Sequence, residues 1–588
     1  MENWVITRKG GDFAAIGEKF QISPRLACLI RNRDVVGDEE IESYLNGSLT
    51  DLQDAMLMKG MSQAVDILKE KIQEGKKIRV IGDYDIDGIN ATFILVNGLE
   101  KLGGKVDYDI PDRITDGYGL NEELIKRAYR DGVDTIITCD NGIAASDEIA
   151  YGKDLGMTLI VTDHHEVPFT EIEGDREYHV PEADAVVDPK QPGCDYPYKE
   201  LCGAAIAYKV IEVLCDAMGR DSEDFDYLIE NVAVATVGDV VDLTGENRIF
   251  VKEGLEMLSR THNLGMQALI KAQNLAESKI SAYHIGFVLG PCMNASGRLD
   301  TAKRSLELLT ADNPLDAEVL AQELVALNNS RKSMTEKAVD EAMGLVEQND
   351  LKEDKVLVIY LPECHESIAG IVAGRIREAY YKPTLVVTKA SQGLKGSGRS
   401  VEAYNMYEEI NKCGELLTKF GGHKMAAGFS LKQENLEEFR KKLNQYSTLT
   451  EKDLMEKVVI DMVLPFSCVT EAFVEELERL EPFGKANRKP VFALRKVRIL
   501  EGRILGKNKN VLKLKLQDPD GTRIEGMRFG DIQGFLDGID EKFGAGTSQK
   551  IITGRASGEN ITMDITYYPE INIFRGISTP QVIITHYR

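Results

Sequence analysis

Acidic residues and histidines recur at short intervals through the first 240 residues, at spacings that could gather metal ligands. The candidate residues are Asp83, Asp85, Asp87, Asp140, His164, His165 and Asp239. Carboxylates that meet in a fold repel one another, and bound cations are the usual way to neutralise them. The pattern therefore predicts a divalent-metal centre and, with it, phosphate chemistry.

Each motif also has a purely structural interpretation. The D-x-D-x-D motif at Asp83–Asp87 points its carboxylates to one side after a strand, but an isolated motif of this kind is more often a solvated acidic turn. Asp140–Gly142 is equally natural as a tight turn, and two adjacent histidines are more often structural than ligating. For Asp239 a ligand role is the better interpretation, because an unpaired carboxylate in an apolar segment is costly.

The mixture of carboxylates and imidazoles indicates which metals would fit. Carboxylate-rich sites suit magnesium and manganese, and imidazole shifts the preference toward manganese. Two such ions about 3.5–4 Å apart form the usual clamp for in-line displacement at phosphorus. No Ser or Cys triad motif is evident in the sequence, so an activated water is the expected nucleophile.

Short apolar runs precede these polar motifs and predict the elements that position them. Strands are expected at 77–82, 134–139, 157–162 and 185–187, with a helix at 89–102 after the first acidic motif. This alternation is typical of a parallel, doubly wound sheet. Ligands bind such sheets outside the carboxyl ends of the strands, so the polar motifs should meet at one edge.

The rest of the chain predicts further domains. Residues 200–310 are mostly helical in character, and 316–348 forms a long helix that joins two lobes. Strands at 355–360 and 384–387 flank a helix at 369–381, whereas beyond 458 the β-rich segments 491–500, 510–517 and 549–556 predict an OB-type β-barrel. The expected segments are an N-terminal helical part (1–60), a parallel-sheet α/β domain (61–315), a connecting helix (316–350), a second α/β domain (351–450) and an OB-type nucleic-acid-binding domain (458–588).

Composition excludes some classes of protein. The chain has 588 residues and a net charge of −25, which by itself argues against a nucleic-acid partner. From Glu481 to Gly530, however, 13 Lys and Arg face 5 Asp and Glu, a local charge of +8. This window is either a nucleic-acid surface or a solvated face of the barrel. We expect a cytoplasmic protein, because no long apolar span, signal-peptide core or C-x-x-C pair is present.

Two small-residue loops follow in the second α/β unit, at Gly396–Ser400 and Phe420–Gly428. Backbone N–H groups and Arg399 could hold a phosphate there. Tight turns explain such loops equally well when they are considered alone.

The ordered series of motifs carries a specific resemblance. The set G-D-Y-D-x-D-G, P-D-R-x-x-D-G-Y-G-L-N, C-D-N-G-I, T-D-H-H-E and G-D-V-V-D-L-T-G-E-N-R resembles the DHH phosphoesterase superfamily, and within it the exonucleases specific for single-stranded DNA. The resemblance extends over about residues 60–530. It implies a DHH catalytic domain, a DHH-associated second domain and an OB domain.

The resemblance also implies an activity and residue roles. The activity is hydrolysis of single-stranded DNA from 5′ to 3′ into mononucleotides, in repair and recombination, with two Mn²⁺ or Mg²⁺ ions. The implied metal ligands are Asp85, Asp87, Asp140, His164 and Asp239, with Asp83 and His165 as catalytic neighbours. The implied phosphate and strand contacts are Asn294, Arg298, Ser397, Arg399, Ser400, Gly422 and His423. A helicase and a single-strand-binding protein are the implied partners of a monomeric enzyme.

Three departures from the family pattern and two alternatives remain open, and one of the departures is Glu366, which follows His365 where a proline is usual. Cys292 stands where an arginine is usual, and Asn90 replaces a small hydroxyl residue. One alternative is a phosphodiesterase for very short RNA or cyclic dinucleotides, which the segment beyond Val458 disfavours. The other is a nucleic-acid scaffold without catalysis, which the complete set of acidic and histidine residues disfavours.

Overall fold

The computed structural model describes residues 2–113, 116–117, 119–172, 174–348, 350–390, 393–555 and 560–588. The chain divides into two compact units. The first comprises Leu52–Val241 and Glu246–Glu456, and the second comprises Glu2–Asp51, Asp242–Gly245 and Lys457–Arg588.

The chain begins with a short strand and three helices that belong to the second unit: β1 (Asn3–Ile6), α1 (Phe13–Phe20), α2 (Pro24–Asn32) and α3 (Asp38–Asn46). The first unit then opens with an alternating region. Its elements are α4 (Met61–Gln73), β2 (Lys77–Ile81), α5 (Ile86–Lys101), β3 (Lys105–Asp109), α6 (Glu122–Arg130), β4 (Thr135–Cys139), α7 (Ser146–Asp154), β5 (Thr158–Thr162), β6 (Phe169–Ile172), β7 (Asp175–Tyr178) and β8 (Ala185–Val187).

Five of these strands form one sheet, in the order β3-β2-β4-β5-β8, and all its pairs are parallel. The four strands predicted from the sequence are confirmed, and β3 adds an edge that the prediction lacked. β4 is buried along its whole length, as expected for a strand covered on both faces. The carboxyl ends of β2, β4, β5 and β8 therefore lie along one edge, where the polar motifs begin.

A helical region completes this lobe. Its elements are α8 (Gly203–Ala217), α9 (Ile229–Gly238), α10 (Gly245–Leu258), α11 (Leu264–Ala272), α12 (Ala282–His284), a π-helical turn (Ile285–Leu289), α13 (Gly290–Leu299), α14 (Lys303–Leu309) and α15 (Pro314–Gln348). The long connecting helix predicted at 316–348 is confirmed as α15. In the part of the chain that the structure describes, no helix combines the length and apolar character needed to cross a bilayer.

The second lobe of the first unit is a mixed sheet with three helices. Its elements are β9 (Leu357–Tyr360), α16 (Ala369–Tyr380), β10 (Thr384–Lys389), β11 (Leu394–Arg399), α17 (Met406–Asn411), β12 (Leu417–His423), β13 (Ala426–Leu431) and α18 (Leu436–Tyr446). The strand order is β12-β13-β11-β10-β9. Both small-residue loops of the sequence analysis are strands: the first lies in β11, and the second forms the β12–β13 hairpin.

The remainder of the second unit is built on a closed sheet. Its elements are β14 (Lys457–Ile460), β15 (Met462–Val463), α19 (Glu471–Leu477), β16 (Phe492–Leu505), β17 (Val511–Gln517), β18 (Arg523–Phe529), α20 (Ile532–Phe543), α21 (Thr547–Ile552), β19 (Thr562–Phe574) and β20 (Ile577–Tyr587). The order is β15-β16-β17-β18-β20-β19, and a further pairing of β16 with β19 closes it. The predicted β-segment 549–556 is wrong: its first four residues belong to α21, and Ala556 lies outside the described residues.

Candidate metal centre

Three of the predicted carboxylate ligands meet around the imidazole of His164, which is itself a predicted ligand. Its Nε2 lies 3.1 Å from Asp140 Oδ1, 3.6 Å from Asp87 Oδ2 and 3.9 Å from Asp239 Oδ2. Asp87, Asp140 and His164 come from three separate segments that follow β2, β4 and β5, and Asp239 follows α9. The parallel sheet therefore gathers side chains that lie far apart in the sequence.

A second group of ligand atoms adjoins the first. One carboxylate oxygen each from Asp83, Asp85 and Asp140 lie within 4.8 Å of one another. Asp140 also belongs to a group with His164 and His165. Because Asp140 belongs to both groups, its carboxylate could contact two cations at once if both were bound.

The backbone is specialised around Asp140 and Asp87. Asp140 has a φ of +60°, a conformation that non-glycine residues seldom adopt and that is common at functional sites. Gly203, the first residue of α8, packs against it: a Cβ added there would lie 2.7 Å from Asp140 Cβ. The N–H groups of Gly203 and Ala204 each donate to the Asp87 carboxylate at 2.7 Å. The N-terminus of α8 thus holds one ligand and closely approaches another.

Burial and mutual repulsion raise the pKa values of the clustered carboxyl groups. Burial, and then the charge of Asp85, raises the pKa of Asp87 to about 7. Burial, and then Asp87, raises the pKa of Asp239 to about 7. Burial also raises the pKa values of Asp83 and Asp140 well above the ordinary range. Such a cluster is costly as bare anions, and divalent cations remove the cost.

The residues present fit divalent cations. The buried Asp83 carboxylate leaves Oδ1 without a hydrogen-bond partner among the described residues, which is expected of a group that faces a cation. The donor set of carboxylates with one or two imidazoles is one that manganese and magnesium accept. The site could therefore bind two such ions and activate water at a phosphate.

The two adjacent histidines differ in charge. Burial, and then the charge of His165, lowers the pKa of His164, so this ring is neutral and able to ligate. Burial also opposes protonation of His165, but the hydrogen bond and charge of Asp163 outweigh it and raise its pKa to about 9. His165 Nδ1 lies 2.8 Å from Asp163 Oδ1, and 45% of the His165 side chain is exposed. His165 can thus present a positive charge to a substrate.

A cluster of arginines adjoins the acidic groups. Arg298 Nη1 donates to the carbonyl of Ser367 in the second lobe at 2.8 Å. Burial, and then repulsion from Arg113 and Arg331, lowers the pKa of Arg298 to about 10. Arg399 Nη1 donates to Ser397 Oγ at 3.3 Å, and burial, followed by repulsion from Arg377 and Arg113, lowers its pKa. Guanidinium groups that repel one another form a natural site for phosphate.

The remaining predicted contact residues have distinct positions. Ala426 pairs with Arg399 on one side and with His423 on the other, so these two cations lie at the same end of the sheet. Gly422 precedes His423 on the exposed edge of β12. Asn294 Oδ1 accepts from the N–H of Ile86, which anchors α13 on the acidic motif. Ser400 is placed apart: its buried hydroxyl donates to the Tyr404 carbonyl, so its proton is engaged within the protein and not directed at a substrate.

Sequence reasoning missed three features of the site. Asp163 was part of a recognised motif, but its contact with His165 was not predicted: it orients His165 and accepts from the N–H of Ile143 at 2.9 Å. Burial, and then Asp163, raises the pKa of Asp188 to about 8. Asp188 directly follows a predicted strand, and this position could have marked it as a residue of the site. The contact of the α8 N-terminus with Asp87 joins residues 116 positions apart, and no local pattern announces it.

Three family models match the chain in the same order as its domains. They are the DHH family, N-terminal domain (residues 77–236), the DHHA1 domain (353–448) and the RecJ OB domain (460–586). The first covers the strands and helices that carry Asp83–His165, the second covers the lobe with Arg399, and the third covers the closed sheet.

Curated relatives and solved structures agree with these models. The single-stranded-DNA-specific exonuclease RecJ of Escherichia coli (strain K12) is 33% identical over 586 residues, which is 96% of this chain and 96% of that protein. The RecJ of Bacillus subtilis (strain 168) is 36% identical over 88% of this chain, which spans 64% of that relative's length. The Mn²⁺ complex of RecJ from Thermus thermophilus is 27% identical with a TM-score of 0.82, covering 100% of this chain and 79% of that one. The chain therefore belongs to the RecJ family.

Proposed function

We propose that this protein is a metal-dependent exonuclease that degrades single-stranded DNA from its 5′ end into mononucleotides. The observation that carries the proposal is the meeting of Asp87, Asp140 and Asp239 around His164. Ligands for cations beside a guanidinium cluster are the parts that phosphodiester hydrolysis needs. The relatives from E. coli and B. subtilis carry the name single-stranded-DNA-specific exonuclease.

Two Mn²⁺ or Mg²⁺ ions would be held by Asp85, Asp87, Asp140, His164 and Asp239, with Asp83 beside them. When bound, such ions acidify the attacking water and offset the charge that grows on the phosphate. Asp140 is the proposed bridge, because its carboxylate belongs to both groups of ligand atoms. The α8 N-terminus keeps Asp87 oriented for its metal through two backbone hydrogen bonds.

His165 and the arginines act on the substrate itself. The imidazolium of His165, fixed by Asp163, donates to a non-bridging oxygen of the scissile phosphate. Arg298 and Arg399, with Ser397, hold the terminal phosphate of the strand in the second lobe. Recognition of a terminal 5′ phosphate at this site would select a free 5′ end, which is the direction of degradation that we propose.

We extend the proposal to the second unit and to the setting of the enzyme. The basic segment Glu481–Gly530 binds the strand by charge and stacking, although cross-strand ion pairs such as Lys513–Glu525 at 2.8 Å neutralise part of its charge. We propose a catalytic domain at 61–315, a second α/β domain at 351–450 and an OB-type domain at 458–588, whose compact unit also includes Glu2–Asp51. The enzyme works as a cytoplasmic monomer in repair and recombination, with a helicase and a single-strand-binding protein as partners.

The test is digestion of labelled oligonucleotides by the full-length protein with Mn²⁺. A 5′-labelled single strand should release labelled mononucleotide as the first product, and a 3′-labelled strand should shorten progressively while duplex resists. No release of mononucleotide would favour the non-catalytic scaffold. Cleavage confined to dinucleotides would favour the phosphodiesterase of very short substrates.

The variant Asp140→Asn tests the bridging role. Asparagine tolerates the left-handed backbone at this position, so we expect an intact fold with hydrolysis reduced by about 10³-fold or more. Without metal the variant should melt higher than the wild type, because one buried like charge is gone. Turnover and melting temperature are measured in EDTA and in Mn²⁺, and near-normal turnover would refute the bridge.

A further inference from the structure

A cavity of about 710 Å³ lies in the first unit, between the C-terminal half of α5, the start of α9 and the loops after α10 and α14. Its wall is partly apolar, with Phe93, Val96 and Leu309 buried. Polar side chains converge on the same space, among them Glu230 and Asn231. An apolar pocket of this size with a few convergent polar groups is the usual form of a small-ligand site.

The feature that identifies a ligand class is Glu230. Its residue is only 6% exposed, and its Oε1 accepts from the Thr261 hydroxyl at 2.7 Å. The other oxygen, Oε2, makes no further hydrogen bond within the described ranges and is open to the cavity. Burial raises the pKa of this carboxyl to about 7. A carboxylate that is buried as a residue but keeps one oxygen open to a cavity can accept from a ligand bound there, and a positively charged donor suits it best.

The cavity is also connected to the metal centre. Asn231, which lines the cavity, donates from Nδ2 to Asn90 Oδ1 at 2.9 Å. Asn90 in turn donates from Nδ2 to the carbonyl of Ile86 at 2.7 Å. Ile86 lies between Asp85 and Asp87, and both asparagines are almost completely buried. Asn90 is one of the residues that depart from the family pattern, and this relay gives it a role.

We propose that the cavity binds a small organic cation, an amine or a guanidine, whose N–H groups donate to Glu230 Oε2. Binding there is coupled to the metal centre through Asn231 and Asn90. The cation's apolar stem packs on the Phe93 and Val96 side of the cavity. The proposal concerns a site separate from the nuclease chemistry and does not depend on the substrate of that chemistry.

Calorimetry with agmatine tests the site, because this compound carries a guanidinium and an ammonium on a short apolar stem. Full-length protein at pH 8 should bind it with saturation at one site. Glu230→Gln should weaken binding by about tenfold or more, whereas the matched change Glu100→Gln, at the exposed mouth of the cavity, should leave it within about twofold. Absence of saturable binding, or equal binding by Glu230→Gln, would overturn the proposal.

Two further measurements complete the test. A crystal of the wild-type protein soaked in agmatine should show it against Glu230, a result that does not depend on how well the variants fold; density elsewhere, or none, would overturn the site. Titration with agmatine is repeated with saturating Mn²⁺, and by reciprocity of linkage its affinity should change by at least about twofold. An unchanged affinity would overturn the coupling.

Discussion

The two adjacent histidines differ in charge because the carboxylate of Asp163 contacts only one of the two rings, that of His165. His164 is buried among the carboxylates of the candidate metal centre, and burial keeps its imidazole neutral. His165 lies against Asp163, which keeps its imidazole charged, and Asp163 itself keeps a lowered pKa because the bond from His165 outweighs the effect of burial. One ring can therefore ligate while the next offers a proton.

We predict that Asp163→Asn impairs chemistry more than substrate binding. The change removes the negative charge that fixes His165 Nδ1 at 2.8 Å, and we expect kcat to fall by about 10²-fold, in the range of a lost general acid or electrostatic partner, with little change in KM. Steady-state kinetics on a 5′-phosphorylated oligonucleotide measure both parameters. The same substitution at exposed Asp154 should change neither, and a defect confined to KM would contradict the assignment.

Glu230 provides a prediction about stability and pH. Burial raises its pKa from 4.5 to about 7, so the folded state binds the proton more tightly than the unfolded state. The resulting stability is present in full below pH 4.5 and is lost as the pH rises to about 7, at about 1.4 kcal/mol per pKa unit. Glu230→Gln removes this loss and should raise the melting temperature by a few degrees at about pH 8.5.

Calorimetric scans of Glu230→Gln and the wild type at about pH 5.5, 7 and 8.5 check the sign. The advantage of the variant should be largest at the highest pH and fall to less than half of that at the lowest. An advantage that is independent of pH would mean that glutamine stabilises the site through packing and not through the missing charge.

At the scale of elements, the N-terminus of α8 organises the metal centre without supplying a ligand. Its first two N–H groups bind Asp87, and its first residue must be small because Asp140 lies against it. A helix N-terminus favours a carboxylate through its partial positive charge. The helix therefore stabilises ionised Asp87 and limits where Asp140 can stand.

Gly203→Ala should displace Asp140 and reduce kcat/KM by about tenfold or more, since misplacement of a catalytic group by about 1 Å is costly. A matched control is Gly344→Ala on α15, where the added methyl meets nothing closer than 4.0 Å. That variant should keep full activity and gain up to about 1 kcal/mol of stability from helix propensity. Equal activity of the two variants would show that Asp140 has room to move.

The elements were predictable where local pattern decides them. The strands before Asp83, Asp140, Asp163 and Asp188 were found because each is an apolar run that stops at a polar motif, whereas the set of candidate ligands was implied by the resemblance to the DHH superfamily. The α21 segment was not predicted correctly. Its two adjacent isoleucines predict a strand, but Ile551 is fully buried and packs beside Gly502 of β16 as part of a helix. Tertiary packing overrode local preference there.

At the scale of the whole molecule, the two ends of the chain belong to one unit. β1 pairs in parallel with β14, and Asn3 lies opposite Lys457. Leu26 and Leu29 of α2 share a hydrophobic core with Phe492 of the closed sheet. Asn32 Nδ2 donates to the Asp461 carbonyl at 3.1 Å. Contacts across more than 400 residues carry no local signal, so the sequence predicted an N-terminal helical part and an OB domain without a link between them.

This shared core predicts that a change near the N-terminus destabilises the C-terminal sheet. Leu29 is 0% exposed, so Leu29→Ala should cost about 2–5 kcal/mol, while Val36→Ala, at a side chain 51% exposed, should cost little. The single tryptophan, Trp4, lies in β1 and stacks with Arg588 at 4.4 Å, so its fluorescence reports unfolding of this unit. In urea titrations the Trp4 transition should move to lower urea in Leu29→Ala and stay in place in Val36→Ala. An unmoved Trp4 transition in Leu29→Ala would mean that the α2 helix adds nothing to the stability of the closed sheet.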